Sequence, residues 1–245
     1  MRRCGLTGSA QDIAAHPIEY QQADLEALDH ELGRLVGSMN ATTRANTTVI
    51  FMGDNGTASL AVQPPIKADR AKTTVYQGGV TVPFVVSGAG VTRVGQREAA
   101  LINGVDMFAT VADLTGLGLQ DANDGRSFGP LLSSASGPHR DFAYTEYFVG
   151  STRASGAGPA GGGPAGGGPG GDAAGRRAAA SGWAIRDDRY KLIELQTSGR
   201  QLYDLVNDPW ETRDLLLTPT ADALAKAESL AAVALTLRSS SVTVR

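Results

Sequence analysis

TTVIFMGDNG, residues 47–56, is a greasy run that stops at an acid, an amide and a glycine. Val49, Ile50, Phe51 and Met52 form a short, nearly continuous apolar stretch. That is the pattern of a strand covered on both faces in a parallel sheet. Asp54 and Asn55 are among the poorest strand formers, so the strand ends with them. In open α/β sheets ligands bind beyond the carboxyl ends of the strands, which is where this pair falls. A carboxylate and an amide oxygen are hard donors, suited to Ca²⁺ or Mg²⁺ rather than to zinc. Gly56 lets the backbone turn away sharply. The same residues also spell an ordinary Asp-Asn-Gly turn, and taken alone they favour that plainer reading.

Upstream, residues 20–39 place Leu25, Leu28, Leu32, Leu35, Val36 and Met39 on one helical stripe, followed by a polar, Thr-rich loop from Asn40 to Asn46. A helix feeding a buried strand predicts an α/β sheet. Downstream, residues 57–77 carry Pro64-Pro65 and many polar groups, a long loop of the kind that more often serves function than connection. Gly78-Gly79 leads into VTVPFVVSG, a second short strand whose Pro83 marks an edge or a bulge. Residues 104–116 read as a helix with Met107, Phe108, Val111 and Leu114 facing inward and Gly116 near its end. Residues 151–182 are low-complexity Gly/Pro/Ala, too poor in apolar groups to offset ordering entropy, and read as a flexible surface insertion. After them come WAIRDDRYKLIEL, two strands joined at Asp187-Asp188-Arg189, and RQLYDLVNDPWETRDLL, a strand and a turn through Asn207-Asp208-Pro209. Residues 219–237 carry a helical stripe through Leu224, Leu230 and Leu237. The division expected is a core segment over 1–135 and a small C-terminal α+β unit over 136–245, an antiparallel sheet with a covering helix.

The chain has 245 residues and a formal net charge of −3, so no broad cationic surface suits nucleic acid phosphates. No stretch reaches the roughly 18 apolar residues of a membrane span. The opening MRRCGLTGSAQDIAAHP has no apolar core of a signal peptide. Cys4 is the single cysteine, which rules out an internal disulfide and leaves the redox compartment open.

The blocks around residue 54 resemble the sulfatase family of the alkaline-phosphatase-like superfamily. There a strand ending Ser-Asp-Asn-Gly or Ser-Asp-His-Gly precedes Lys-x-x-x-Tyr-Glu-Gly-Gly-x-Arg-Val-Pro; here the second pattern is Lys72, Tyr76, Gln77, Gly78, Gly79, Thr81, Val82, Pro83. LDHELGRLV, GVDMFATVADLTGL, WAIRDDRYKLIEL and QLYDLVNDPWETRDLL resemble further family blocks in the family's order, covering nearly all of the chain outside the insertion. The resemblance implies part of a three-layer α/β sandwich with the small C-terminal sheet and helix. It implies that Asp54 and Asn55 are metal ligands for one divalent cation, usually Ca²⁺, and that Lys72 contacts the sulfate of a small-molecule or carbohydrate ester. Gln77, Thr81 and Gly53 depart from the family's Glu, Arg and Ser, which bears on loop geometry more than on the metal pair.

The family's nucleophile is a formylglycine made in a Cys-x-Pro-Ser-Arg motif. Cys4-Gly5-Leu6-Thr7-Gly8 lacks the Pro, Ser and Arg and lies too close to the first helix, so Cys4 reads as an inert terminal thiol and formylglycine is not encoded here. His16, His30 and His139 read as surface residues rather than replacements for family histidines. Three arrangements fit a half-site: the C-terminal part of a longer sulfatase, which the abrupt start favours; a half completed by a partner carrying the N-terminal portion; or a non-catalytic remnant that binds a cation. A phosphate or phosphonate ester hydrolase of the same superfamily is a close alternative, because both esters offer similar oxygens to a cation. No turnover is expected from this chain alone. Compartment is not set by these residues, though relatives are often exported or lysosomal.

Overall fold

The computed structural model describes residues 6–119, 124–148 and 180–239. Cys4 and the Gly/Pro/Ala-rich insertion up to residue 179 lie outside them. In chain order the elements are α1 (Ala10–Ala15), α2 (Pro17–Gly37), α3 (Ala41–Ala45), β1 (Thr48–Met52), α4 (Gln77–Val80), β2 (Phe84–Gly88), α5 (Asp106–Leu114), β3 (Ala143–Tyr147), β4 (Gly182–Arg186), β5 (Tyr190–Leu195), β6 (Gly199–Asp204) and α6 (Ala221–Ser239). Short 3₁₀ turns at Ala68–Arg70 and Gly129–Leu132 complete the connections.

Three helix starts have a local cause. The Ser9 side chain accepts from Asp12 N and the Asn40 side chain from Thr43 N, which satisfies donors that the first helical turn leaves orphaned. Pro17 opens α2, where its missing N–H costs nothing. The stripe expected on this helix exists but is not covered: α2 buries no residue, and Leu25 and Leu35 are each more than half exposed.

β1 pairs with β2, antiparallel rather than parallel, in a two-stranded sheet with Ile50 opposite Val86 and Met52 opposite Phe84. No residue of β1 is fully buried, so the expectation of a strand covered on both faces is corrected. The apolar run records what the strand can bury; among the described residues only β2 lies beside it. The strand expected through VTVPFVVSG begins only after Pro83, which cannot donate to a ladder. α5 also turns the other way from the expectation: Asp106, Ala109, Thr110 and Ala112 are buried, while Phe108 and Val111 face outward. Its small inner face packs against the Gly129–Leu132 turn, and Thr110 Oγ1 accepts the N–H of the buried Phe128 just before that turn.

β3-β4-β5-β6 form a four-stranded antiparallel meander, with Ile185 opposite Leu192 and Leu192 opposite Leu202. Strand alternation sends two sets of side chains to opposite faces. Trp183, Ile185, Leu192 and Leu202 meet Ala223, Ala227, Leu230 and Ala234 of α6. The helix therefore lies on its alanine stripe, with Leu224 and Leu237 outside the buried set expected for them. Ala184, Ile193 and Tyr203 on the other face meet Val75 and Tyr76, which belong to the loop that follows β1. The sheet is thus sandwiched between a helix and the segment carrying Lys72.

Candidate functional site

The end of β1 is fixed by backbone contacts. Gly53 N donates to Pro83 O at 3.0 Å, and Gly56 N donates to Gly79 O at 3.0 Å. A Cβ on Gly56 would stand 1.9 Å from Gly78 O, so main chain presses on main chain here and only glycine fits. At Gly53 a Cβ would meet Val82 at 3.1 Å and Pro83 at 3.2 Å, a tight seat for any larger residue. Gly78 and Gly79 are equally confined: their Cβ atoms would stand 2.5 Å from Arg70 O and 2.3 Å from Thr74 O. The structural role expected of the Gly-Gly pair is therefore visible as close approach on both sides.

Between these anchors Asp54 is exposed and Asn55 half-buried. The Asn55 side-chain amide donates to the Asp54 carboxylate, so the neighbouring side chains converge rather than splay. That hydrogen bond, with a smaller contribution from the charge of Lys72, holds the Asp54 carboxyl below the usual carboxylate range. It is thus ionised at neutral pH, as a ligand for a hard cation must be.

Lys72 is tied to the same loop by its backbone, whose N–H donates to Thr57 O at 2.9 Å. The next residue, Thr73, has φ of 71°, a left-handed conformation that a β-branched side chain adopts only under constraint. The bend at Thr73 therefore fixes the course of the main chain directly after Lys72. Asp54, Asn55 and Lys72 thus occupy one backbone-locked corner at the end of β1. Two protein oxygens fall well short of the six to eight that Ca²⁺ takes, so these residues fit part of a coordination shell and no more. Among the described residues no group of three or more His, Cys, Asp or Glu side chains is placed to hold a metal.

The three histidines are elsewhere. His16 pairs with Asp12 across 3.0 Å within α1, His30 is on the exposed surface of α2, and His139 faces Gly137 O. Asp106, from the block GVDMFATVADLTGL, is a buried structural acid. It accepts from Arg126 N and Asn103 N and takes both carboxylate oxygens to the Arg140 guanidinium.

Sequence reasoning passed over one pair. Lys191 and Glu211, from the Tyr-Lys-Leu and Asp-Pro-x-Glu blocks, form an ion pair at 2.7 Å that is almost wholly buried. The signal was available: a lysine inside YKLIEL, flanked by residues that fill both faces of a strand, needs a buried partner.

The Sulfatase family model matches residues 5–117. Arylsulfatase K of Danio rerio is 31% identical over 124 residues, which cover 49% of this chain and 23% of that protein. Among solved structures, the 2-O GAG sulfatase BT1596 superposes with a TM-score of 0.69 at 20% identity, over 94% of this chain and 45% of the other. The phosphonate monoester hydrolase of Agrobacterium radiobacter superposes with a TM-score of 0.60 at 22% identity, over 86% of this chain and 39% of the other. The chain therefore spans about a quarter of the Danio rerio relative and under half of these two structures. The site-bearing segment thus lies inside the region that the Sulfatase family model matches, and the fold is shared with solved sulfatases along nearly the whole described length.

Proposed function

We propose that this chain contributes one side of a sulfate-ester hydrolase site, with Asp54 and Asn55 as ligands to a divalent cation, Ca²⁺ or Mg²⁺, and Lys72 as the contact to the ester's sulfate. A bound cation would supply electrostatic stabilisation to the sulfate oxygens as charge builds on them. The chain's own part is to hold two hard oxygens and one ammonium in a fixed corner. Lysine suits that place because its compact charge carries three donors. The observation that carries this reading is the convergence of Asn55 on the ionised Asp54, with Lys72 acting on the same carboxylate.

Sulfated carbohydrate is the substrate class we favour, in line with the name of the 2-O GAG sulfatase that shares the fold. A phosphonate ester is the alternative, since the fold is shared with a phosphonate monoester hydrolase as well. The nucleophile is assigned to a polypeptide portion with the formylglycine motif, supplied by a longer chain or by a partner.

The test is a Ca²⁺ titration followed by amide NMR shifts. Residues 54–57 should move with an affinity of about 1 mM, the weak end of protein calcium sites, and Asp54→Ala should abolish the movement. Amides at 54–57 that stay still through the titration would remove the cation site. The purified chain should not turn over an aryl sulfate or an aryl phosphonate; sustained turnover of either would show that the nucleophile lies within these residues.

A further inference from the structure

α4 should not be stable by itself. It is a single turn, Gln77–Val80, with two glycines, and a lone helical turn costs more in fixed dihedrals than its hydrogen bonds return. Yet its carbonyls receive Gly56 N, and its glycines form the wall against which the metal-ligand loop is pressed. Something outside the turn has to hold it.

Two residues far along the chain do so. The carboxylate of Glu211 accepts the Gln77 backbone N–H at 2.7 Å, capping the first turn from another element. The ammonium of Lys191 lies 2.7 Å from the other Glu211 oxygen and donates to the Gln77 side-chain oxygen at 3.2 Å. Lys191 comes from the face of β5 that meets the Val75–Tyr76 segment, and Glu211 from the turn after β6, where its N–H donates to Asp208 O. Glu211 has φ of 57°, so the chain accepts a disfavoured backbone conformation to aim this carboxylate. Tyr76 adds a hydrogen bond at 2.6 Å to Gln201 of β6.

A buried ion pair is a poor way to add stability, because a well-packed apolar pair of similar size does as well or better. What it does provide is a fixed relation between the groups it joins. We infer that Lys191 and Glu211 are positioning residues for the site proposed above, clamping α4 through Gln77 so that Gly78-Gly79 keeps the Asp54–Asn55–Gly56 corner and Lys72 in register. This rests on that proposal for its chemistry, while the mechanical coupling stands on the contacts just given.

Burial pushes the Lys191 ammonium down to about 8, against the opposing pull of Glu211. Arg186 and Arg70 are the other charged groups that face it. A lysine with a folded value below its unfolded one does not make the fold less stable as pH rises past it, since the unfolded chain then holds the extra proton. The clamp, however, loses its charge pair. Local order at Gly56 should therefore fall through about pH 8 while global stability does not.

The test compares the wild type with Lys191→Met/Glu211→Leu, which removes both charges together so that no lone buried charge unfolds the chain. Amide-exchange protection at Gly56 and Val80 should drop about tenfold or more, and Ca²⁺-induced shifts at 54–57 should need about tenfold more metal. The melting temperature should stay close to that of the wild type. The fall in protection through about pH 8 should be seen in the wild type and be absent from the variant. Unchanged protection at Gly56 in a folded double variant overturns the clamp, whatever the metal result. Protection that falls without any Ca²⁺ response in either protein upholds the clamp and sinks the cation site instead. If the double variant fails to fold, Gln77→Pro removes both the N–H held by Glu211 and the side-chain oxygen held by Lys191, at a first helical position that proline tolerates: lost protection at Gly56 supports the clamp, retained protection refutes it.

Discussion

Replacing Gly56 by alanine puts the packing of the site to a direct test. The added carbon would stand 1.9 Å from Gly78 O, 2.8 Å from Gly78 C and 2.9 Å from Gly79 Cα, all of them backbone. An ordinary contact needs 3.4 Å or more, so the two stretches of main chain must part by about 1.5 Å. No side-chain rotation can relieve this. The hydrogen bond from Gly56 N to Gly79 O cannot survive such a separation, which removes about 1 kcal/mol on top of an overpacking cost of roughly 1–3 kcal/mol. The expected loss is therefore about 2–4 kcal/mol in urea unfolding, with the response of residues 54–57 to Ca²⁺ lost as well. Gly33 makes the control: it lies inside α2 with nothing within 4 Å of its would-be Cβ, so Gly33→Ala should stabilise by about 0.5–1 kcal/mol. If Gly56→Ala unfolds at the same urea concentration as the wild type, the two backbones do not touch as described and the account of the site fails with them.

Asp106→Ala should cost roughly 3–5 kcal/mol, because it strands the Arg140 guanidinium beside two orphaned backbone donors; urea unfolding measures it, and a loss under 1 kcal/mol would refute the structural role. Acid should also act at a nameable place. The Arg189 guanidinium draws the Asp204 carboxyl down to about 2 from 3.8. Because the folded value is the lower one, its stabilisation is fully present above pH 4 and fades as pH falls toward about 2. Asp204→Asn should flatten the stability curve in that window and leave its slope near neutrality alone; an unchanged acid slope would remove the pair from the account.

Much of this was legible in the residues. Asp54 and Asn55 were placed at a strand end by their poor strand propensity, and the end of β1 is where they lie. The two strands around Asp187-Asp188-Arg189 and the strand before Asn207-Asp208-Pro209 were marked by alternation and turn chemistry. What failed were statements about facing. Phe108 and Val111 were assigned inward because large apolar groups favour burial, but α5 packs by its small residues and its one buried acid. Periodicity reports which side chains share a face, not which face has a neighbour. The same holds for α2, whose leucine stripe is real and uncovered. Lys191 and Glu211 were missed for a different reason: they are 20 residues apart in sequence, and their meeting depends on the register of β5 with β6, which no local pattern encodes.

The second face of the four-stranded sheet has a consequence for any exchange of parts between relatives. Its floor is the socket for Tyr76 and the anchor for Gln77, so a tail transplanted from another protein of this fold would import a foreign seat for the corner that holds Asp54. Swaps made at the loop before β3 would look conservative on a sequence map and yet cut through one continuous packing unit. The boundary that matters for grafting runs in space, beneath residues 75–80, and a transplant should carry both sides of it.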